Sequence, residues 1–525
     1  MDLNELPQRL AAHSNRQLNV FHKDGALEAV TFGRLWDDVE DLKRALSSSG
    51  LGNRSVVGLV GPNSYQWVVA DLTLLSLGCI PACIPEPMLS ETTLEEIAAR
   101  YQLDCLLFTE DLGGGDSRPP WCRALSSLAQ GIELRAMSAE RQAWSSDVLT
   151  LVFSSGTTGN PKCLVVSKAG LENTIELTAE AWRVGRNDNI FITLPFSNLQ
   201  QRWMLYMAIW FGFDVSLAPT ERLYRALRRL APTLLLGPPA FFEEAEKRFD
   251  AKSLAYKLWR VPVARLAGLL PAPLESRVKR ALFAELHSMF GSKMRLMFVG
   301  SAPTRRSMLE KLHLLGLPLF EVYGLTEFGW IAFNLPNGNS IGSVGRPVKG
   351  VTVSIDRDRQ VMVEGTAVQT LGYAFGNEEQ QQAVFRSPNR VATGDTGSLN
   401  PAGFLTLDGR LKNIIVTRGG LKMNPETLEA KLEELACVSR AVVFGGGDLN
   451  HLVCVAFVEE PVERALEARV TAAVEAVSNK LLPHERIGRV VVQPATALTE
   501  KSGLLTRNLK VNRSKILEVY AEAVA

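Results

Sequence analysis

The sequence predicts an α/β protein: a large N-terminal α/β domain with parallel sheets, carrying a small antiparallel β subdomain, followed by a small α+β C-terminal domain. Short apolar segments alternate with helical stretches from Ser55 to Phe298, which is typical of parallel sheets. After about Ile341 the apolar segments become short, alternating and separated by charged turns. The length of 525 residues agrees with about three folding units. We place the two domains at residues 1–408 and 409–525.

The individual elements follow from apolar runs of strand length and from longer stretches with an apolar face. Gly113 to Asp116 is expected to be a surface loop. The strands predicted in this way cover residues 55–60, 105–108, 190–194, 233–236, 295–298, 351–355, 360–363, 414–416, 441–443 and 453–458. The helices predicted in this way cover residues 65–77, 425–435 and 463–482.

Composition excludes several classes of protein. Lysine and arginine total 57 against 56 acidic residues, and this balance argues against a nucleic-acid-binding protein. The seven cysteines are scattered without a Cys-x-x-Cys pair, so neither structural zinc nor a disulfide scaffold is expected. The acidic start at Met1–Glu5 does not resemble a secretory signal, and the apolar run 203–213 is too short to span a bilayer. We therefore expect a cytoplasmic protein.

The strongest local signal is the segment 149–162, in which an apolar strand runs into a loop rich in glycine and hydroxyl groups. Glycine N–H groups, hydroxyls and a lysine ammonium together favour phosphate binding. The spacing is not that of the ordinary P-loop, and the alternative interpretation is a polar turn between two elements. The length of the string favours the phosphate site. Its candidate residues are Ser154, Ser155, Gly156, Thr157, Thr158, Gly159 and Lys162.

This string resembles the signature of the adenylate-forming superfamily, which includes acyl-CoA synthetases, nonribosomal adenylation domains and firefly luciferase. The resemblance covers essentially the whole chain, because further motifs of that superfamily follow in the same order. They occupy residues 298–303, 320–327, 393–395, 408–412 and 418–426. The resemblance implies ATP and Mg²⁺ as cofactors and a C-terminal domain that moves during the reaction.

The resemblance also implies a role for each motif. Tyr323, with Gly324 beside it, is expected to stack on adenine, Thr326 to contact the α-phosphate, and Glu327 to hold Mg²⁺. Asp395 and Arg410 match the ribose and phosphate contacts. Lys412 matches the hinge, and residues 418–426 match the segment that faces the thiol tunnel. The wall of the adenine site is expected at Gly300, Ser301, Ala302 and Pro303.

The catalytic lysine is not where the common Gly-Lys ending would put it, because Leu504 follows Gly503. Residues 498–513 instead resemble the ending of long-chain fatty acyl-CoA synthetases, in which a Gly-Leu-Leu-Thr run precedes the lysine. On that alignment Lys510 is the adenylation lysine, and Lys501 is the rival.

Residues 194–202 resemble a Leu-Pro-x-x-His-x-x-x-Arg segment of the same long-chain branch, but Asn198 replaces the histidine. Cys163 and Asn413 also depart from the usual pattern, as glycine and an acid respectively are usual there. These departures leave the acyl substrate and the acceptor open. An acyl pocket is expected near Asn198, Trp203, Leu236, Gly324 and Trp330.

The activity implied is ATP-dependent activation of a carboxylic acid, fatty or otherwise hydrophobic, as an acyl-adenylate. Transfer of the acyl group to coenzyme A would follow, with release of AMP. One alternative acceptor is the phosphopantetheine thiol of an acyl carrier protein. A second alternative is a catalytically silent AMP-binding protein, although the charged residues Glu327, Asp395, Arg410 and Lys510 are all present.

One further segment stands apart from the motifs. Residues 251–280 carry seven basic residues against one acid, Glu275, and include Trp259, Leu269 and Leu270. A plain solvated surface is the ordinary interpretation of such a segment. A weak peripheral contact with an anionic membrane is the alternative.

Overall fold

The computed structural model describes residues 1–110, 118–130, 132–135, 142–154, 161–376, 378–417, 421–446, 449, 451–506 and 509–524. The loop predicted at Gly113–Asp116 lies outside the described residues. Up to Ser167 the chain forms helices α1 Leu6–Ala12, α2 Phe32–Ser47, α3 Tyr65–Ser76, α4 Pro87–Glu91 and α5 Leu94–Arg100. The strands of this part are β1 Gln17–Phe21, β2 Leu27–Thr31, β3 Val56–Val60, β4 Ile80–Cys83, β5 Cys105–Phe108, β6 Cys122–Ala124, β7 Val148–Ser154 and β8 Lys162–Ser167.

The middle of the chain, from Lys168 to Arg410, contains most of the helices that cover the sheets. The helices are α6 Lys168–Trp182, α7 Leu199–Phe211, α8 Leu223–Leu230, α9 Ala240–Asp250, α10 Leu254–Ala267, α11 Ala272–Leu282, α12 Ala284–Ser288, α13 Arg306–Leu314 and α14 Glu378–Val384. The strands are β9 Asn189–Ile192, β10 Asp214–Leu217, β11 Leu234–Gly237, β12 Leu296–Val299, β13 Leu319–Leu325, β14 Gly329–Phe333, β15 Arg346–Pro347, β16 Val351–Ile355, β17 Gln360–Gly365, β18 Thr370–Ala374, β19 Phe385–Ser387, β20 Arg390–Leu399 and β21 Leu405–Arg410.

The C-terminal part is smaller and mixes both kinds of element. Its strands are β22 Ile415–Val416, β23 Lys422–Met423, β24 Arg440–Phe444, β25 Leu452–Val458 and β26 Ile487–Pro494. Its helices are α15 Pro425–Leu432, α16 Arg464–Ser478, α17 Arg513–Val519 and α18 Ala521–Val524.

Two largely parallel sheets and one antiparallel sheet make up the part before Ile415. The parallel sheets have the strand orders β18-β8-β7-β4-β3-β5-β6 and β15-β14-β13-β12-β11-β9-β10-β1-β2. Strands β16, β17, β20, β19 and β21 pair antiparallel, and in the C-terminal part β24-β25-β26 form another sheet. The predicted α/β class, the antiparallel subdomain and the α+β character of the end of the chain are therefore confirmed.

Burial explains why the parallel strands are so apolar. Every residue of β3, β4 and β5 is buried, as expected for strands that helices cover on both faces. Local polar contacts fix the helix starts: Ser64 caps α3, and Thr93 with Glu96 forms a capping box at α5. No helix in the described ranges is long and apolar enough to cross a bilayer.

The observed elements differ from the predicted ones at the ends and at long range. The helix predicted to reach residue 482 ends at Ser478, whose hydroxyl accepts a hydrogen bond from the Ile487 N–H and so turns the chain into β26. Strand β1, near the N-terminus, pairs with β10, and β18 pairs with β8. Local sequence patterns carry no information about such distant partners.

Candidate active site

The predicted adenine segments meet at one edge of a sheet. Strands β12 and β13 are parallel neighbours, with Met297 opposite Leu319 and Val299 opposite Glu321. Because the carboxyl ends of parallel strands lie side by side, Gly300–Pro303 after β12 adjoin the end of β13, where Tyr323 and Gly324 lie. Nucleotides bind at this edge of open α/β sheets.

Gly324 occupies a crowded irregularity of the pairing between β13 and β14. The register shifts between Tyr323 and Gly324, which is the mark of a bulge. A Cβ at Gly324 would lie 2.7 Å from the carbonyl oxygen of Gly329 and 2.8 Å from the ring of Trp330, so a side chain would displace the backbone. The bulge changes the direction of the backbone just before Thr326 and Glu327.

Asp395, Arg410 and Tyr323 form what we call the open cluster. Asp395 and Arg410 are opposite each other on β20 and β21, and the Arg410 guanidinium lies 2.6 Å from one carboxylate oxygen of Asp395. The Tyr323 hydroxyl donates to the other oxygen at 2.5 Å. Asp395 is buried, which raises its pKa against the opposing charge of Arg410. The Arg410 side chain is 43% exposed, whereas the Asp395 side chain is 7% exposed.

Glu327 is held by a residue that the sequence did not single out. The Tyr373 hydroxyl on β18 donates to Glu327 at 3.0 Å, and the ammonium of Lys162 lies 4.7 Å from the centre of the Tyr373 ring. The Thr326 carbonyl accepts hydrogen bonds from Gln369 and Thr370 just before Tyr373. Strand β18 thus links the loop of Glu327 to the lysine of the glycine-rich segment.

Lys510 reaches the same place from the C-terminal part of the chain. Burial and the nearby charge of Arg410 lower the pKa of Lys510 to about 8, while Asp395 and Glu327 act in the opposite direction. Charges shift the pKa of a group appreciably only when they lie close to it, so the Lys510 ammonium lies near the open cluster and Glu327. Burial and the nearby positive charges of Arg410 and Lys162 likewise lower the pKa of Lys412.

A short turn presents Lys510. The Thr506 N–H donates to the Lys510 carbonyl at 2.8 Å, and Leu505 bridges Val511. Leu509, at the tip, has a φ of +56° and packs against an apolar cluster of the large part that includes Val299 and Met308. The rival Lys501 is exposed and sits outside this turn. The structure therefore brings Lys510, not Lys501, to the open cluster.

Polar contacts hold the C-terminal part in this position. Arg440 pairs with Glu243 of α9 at 2.5 Å, and Lys247 of α9 pairs with Glu459 at 2.7 Å. Asn424 donates to the Thr396 hydroxyl at 3.2 Å, next to Asp395. These contacts place the C-terminal part against the sheet edge at which the predicted nucleotide residues lie.

The residues expected around the acyl group divide into two kinds. Trp203, Leu236 and Trp330 are buried in one core, where the rings of Trp203 and Trp330 lie 5.8 Å apart. The Trp330 N–H donates to the Thr178 hydroxyl at 2.8 Å. Asn198 instead caps α7 by accepting from the Gln200 N–H. The histidine expected at this position is thus replaced by a residue with a structural contact.

Arg202, at the end of the same sequence segment, forms a separate interior cluster with Asp71 and Tyr206. Its guanidinium makes two hydrogen bonds to Asp71 at 3.1 and 2.5 Å, and both side chains are fully buried. The Tyr206 hydroxyl donates to Asp71 at 2.6 Å. Arg202 also donates to the Thr150 hydroxyl at 2.6 Å, so the cluster anchors β7, which leads into the glycine-rich loop.

The other two departures from the family pattern are also accounted for. Cys163 is buried in the core behind β8, where it lies opposite Ala374. Asn413 donates to Glu426 at the start of α15.

Part of the predicted site lies outside the described residues. This part consists of Ser155, Gly156, Thr157, Thr158, Gly159, residues 418–420 and the side chain of Ser154. The described flanks, Ser154 and Lys162, pair across β7 and β8.

Sequence reasoning missed Tyr373 and Leu509. Tyr373 sits in an unremarkable strand outside any of the motifs, and only the pairing of β18 with β8 brings it to Glu327. Leu509 precedes the predicted lysine directly, but an apolar residue beside a catalytic one carries no signal of its own.

Two protein-family models match the chain. The model of the AMP-binding enzyme matches residues 6–368, and the model of the AMP-binding enzyme C-terminal domain matches residues 412–525.

Curated relatives extend along most of the chain. The long-chain-fatty-acid–CoA ligase FadD15 of Mycobacterium bovis is 25% identical over 95% of this chain and 92% of its own length. The long-chain-fatty-acid–CoA ligase heimdall of Drosophila melanogaster is 24% identical over 79% of this chain and 70% of its own length.

Solved structures share the fold at lower identity. The anthranilate CoA ligase AuaEII in complex with anthranoyl-AMP is 19% identical, with a TM-score of 0.74 and coverage of 100% of this chain and 98% of that one. ATP-bound MatB from Rhodopseudomonas palustris is 18% identical, with a TM-score of 0.74 and full coverage of both chains.

Proposed function

The chain belongs to the AMP-binding enzyme family of AMP-forming acid–thiol ligases, and we propose that it activates a hydrophobic carboxylic acid as its acyl-adenylate and then transfers the acyl group to coenzyme A. The observation that carries this proposal is the position of Lys510. A half-buried lysine from the C-terminal part lies near Asp395, Arg410 and Glu327 of the large part. Placing an ammonium next to a guanidinium is unfavourable unless an anion lies between them.

The first half-reaction explains why so many cations converge. A carboxylate oxygen of the acid attacks the α-phosphorus of ATP, and the bond to pyrophosphate breaks. Two anions must approach each other, so the barrier depends on positive charge placed where negative charge accumulates. In our proposal Lys510, Arg410 and Lys162 supply this charge, Asp395 accepts hydrogen bonds from the ribose hydroxyls, and Tyr323 packs against adenine.

Glu327 is the proposed ligand of Mg²⁺. In the described ranges no group of three or more acidic, histidine or cysteine side chains could hold a metal ion. This fits Mg²⁺, which is usually bound by one or two carboxylates together with substrate phosphates. Such an ion would neutralise phosphate charge when bound. Tyr373 would keep the Glu327 carboxylate oriented toward it.

In the second half-reaction a thiol attacks the carbonyl carbon of the acyl-adenylate, AMP leaves, and the thiol proton is released. Lys510 has no task in this step, and we propose that rotation about Lys412 withdraws it. The contacts that would break include the pairs Arg440 with Glu243 and Lys247 with Glu459, and the packing of Leu509 on the large part. The exposed pair of Lys247 with Glu459 contributes little to holding the closed position.

The acid is proposed to be hydrophobic for two reasons. The curated relatives that cover most of this chain are named as long-chain-fatty-acid–CoA ligases. Trp203, Leu236 and Trp330 belong to one apolar core, and the ring of Trp330 lies directly beside Gly324.

ATP–pyrophosphate exchange with a panel of carboxylic acids tests the first half-reaction. We expect exchange with hydrophobic acids and none without acid. Mass spectrometry after addition of coenzyme A or of a carrier protein bearing phosphopantetheine then identifies the acceptor. Formation of an acyl-carrier protein without acyl-CoA would replace coenzyme A in the proposal, and no exchange with any acid would contradict the proposed activity itself.

A further inference from the structure

Exposed apolar side chains are concentrated on one helical hairpin, α10 with α11. Eight large hydrophobic side chains between residues 254 and 274 are 37–84% exposed. Soluble surfaces carry such residues singly, so a cluster of this size indicates an interaction surface. The eight are Leu254, Leu258, Trp259, Val263, Leu266, Leu269, Leu270 and Leu274.

The arrangement on α10 is regular. Residues four apart lie on one face of a helix, and the exposed face has Leu254, Leu258, Pro262 and Leu266 at this spacing. Trp259 and Val263 widen that face, and Arg265 is the charged residue on it. The opposite side packs inward through Ala264 and Ala267. Helix α10 therefore presents an apolar face to solvent, the reverse of the usual surface helix.

The hairpin is also strongly basic in a chain whose net charge is +1. Seven basic residues and one acid lie within residues 251–280. Lys252 pairs with Glu285 and Lys279 pairs with Glu275. Arg265 and Arg277 are exposed and have no acidic partner among the ion pairs of the described residues.

We propose that this hairpin docks on an anionic phospholipid bilayer. Leucine side chains and a tryptophan would enter the interface while Arg265 and Arg277 contact lipid phosphates, the pattern of helices that lie in the plane of a membrane surface. The proposal concerns this surface alone and stands whichever acid the enzyme activates.

Charge favours a bilayer over a second copy of the chain. Two copies that met through this face would oppose the same excess of basic residues, because a twofold contact places each patch against itself. Like charges across an interface oppose binding. An anionic bilayer instead neutralises them.

Co-sedimentation with vesicles tests the proposal on the full chain. We expect binding to vesicles of equal parts phosphatidylglycerol and phosphatidylcholine, weak binding to phosphatidylcholine alone, and a loss of binding as salt screens the charges. The double variant Leu258→Glu/Leu266→Glu should bind at least about tenfold more weakly. Its matched control is Leu482→Glu/Leu517→Glu, which places the same charges at exposed leucines outside the hairpin.

A second pair of variants separates charge from packing. Arg265→Gln/Arg277→Gln should weaken binding several-fold, while Arg265→Lys/Arg277→Lys should retain it. Pyrophosphate exchange in solution and the melting temperature should be unchanged in all of them. Equal binding to both kinds of vesicle, or full binding by Leu258→Glu/Leu266→Glu, would overturn the proposal. So would light scattering that shows a dimer in the unaltered chain and a monomer in that variant.

Discussion

Two clusters in this molecule use the same three residue types and do different things. The interior cluster joins Asp71, Arg202 and Tyr206, and its ion pair is completely buried. The open cluster joins Asp395, Arg410 and Tyr323 with nearly the same bonds.

The difference lies in what surrounds each arginine. In the interior cluster Asp71 and Thr150 accept three hydrogen bonds from a guanidinium that is fully buried, so no ligand can reach its other donors. In the open cluster the Arg410 side chain is 43% exposed, and Lys510 and Glu327 lie close by. An aspartate–arginine pair has a structural role when a ligand cannot reach the arginine donors. The same pair can bind a ligand when donors of the arginine remain accessible. Mutations in the two clusters test this difference.

The largest expected effect is on stability. Arg202→Met should lower the free energy of unfolding by about 3–5 kcal/mol, because it leaves a buried carboxylate without its partner. Arg410→Met should cost less, because the Arg410 side chain is 43% exposed and the Tyr323 hydroxyl still donates to the buried Asp395 carboxylate. Urea unfolding followed by tryptophan fluorescence measures both, as all nine tryptophans lie before residue 331. Equal losses in the two variants would remove the distinction.

The next effect is on the first half-reaction. Lys510→Ala should slow pyrophosphate exchange by roughly 10²–10³, because a cation at the proposed reacting centre is lost. Lys501→Ala, the matched lysine in the same tail, should leave the rate unchanged. Transfer from a synthetic acyl-adenylate to coenzyme A should persist in Lys510→Ala. A slow Lys501→Ala enzyme with a normal Lys510→Ala enzyme would reverse the assignment.

The pH dependence should report on the same lysine. A pKa lowered to about 8 means that the ammonium loses its proton as the pH rises past about 8, whereas an ordinary lysine stays charged to above pH 10. We expect kcat/KM for ATP in the exchange reaction to fall about tenfold per pH unit above pH 8. In Lys510→Arg the charge persists, so the residual activity should not show this decline. A profile that is flat to pH 9.5 in the unaltered enzyme would contradict the assignment.

The smallest effect concerns Tyr373. Tyr373→Phe removes the hydrogen bond to Glu327 but keeps the ring beneath Lys162, and the bond is worth about 0.5–1.5 kcal/mol. The Mg²⁺ concentration for half-maximal exchange should rise roughly 2–10-fold on that basis. Tyr65→Phe is the control, because it removes a tyrosine–carboxylate bond to Asp38 away from the site. Similar Mg²⁺ requirements in both variants would mean that Tyr373 does not orient Glu327.

The sequence by itself determined the class of fold and the family, and it supplied the candidate residues of the nucleotide motifs. The strand Cys105–Phe108 and the strand Val351–Ile355 are observed at the predicted residues, since apolar runs and alternation are local properties. Candidate site residues within motifs could be proposed from the sequence for a related reason, because one turn or one strand end fixes their spacing along the chain.

Only the tertiary structure decided which of these residues act together. Asp395 is buried because β20 and β21 pair, Tyr373 meets Glu327 because β18 pairs with β8, and Lys510 joins them because Leu509 packs on a distant core. The apolar face of α10 is visible as a surface only once the side that packs inward is known. Burial, charge environment and free hydrogen-bonding capacity arise from long-range packing, and packing depends on the whole chain rather than on neighbouring residues.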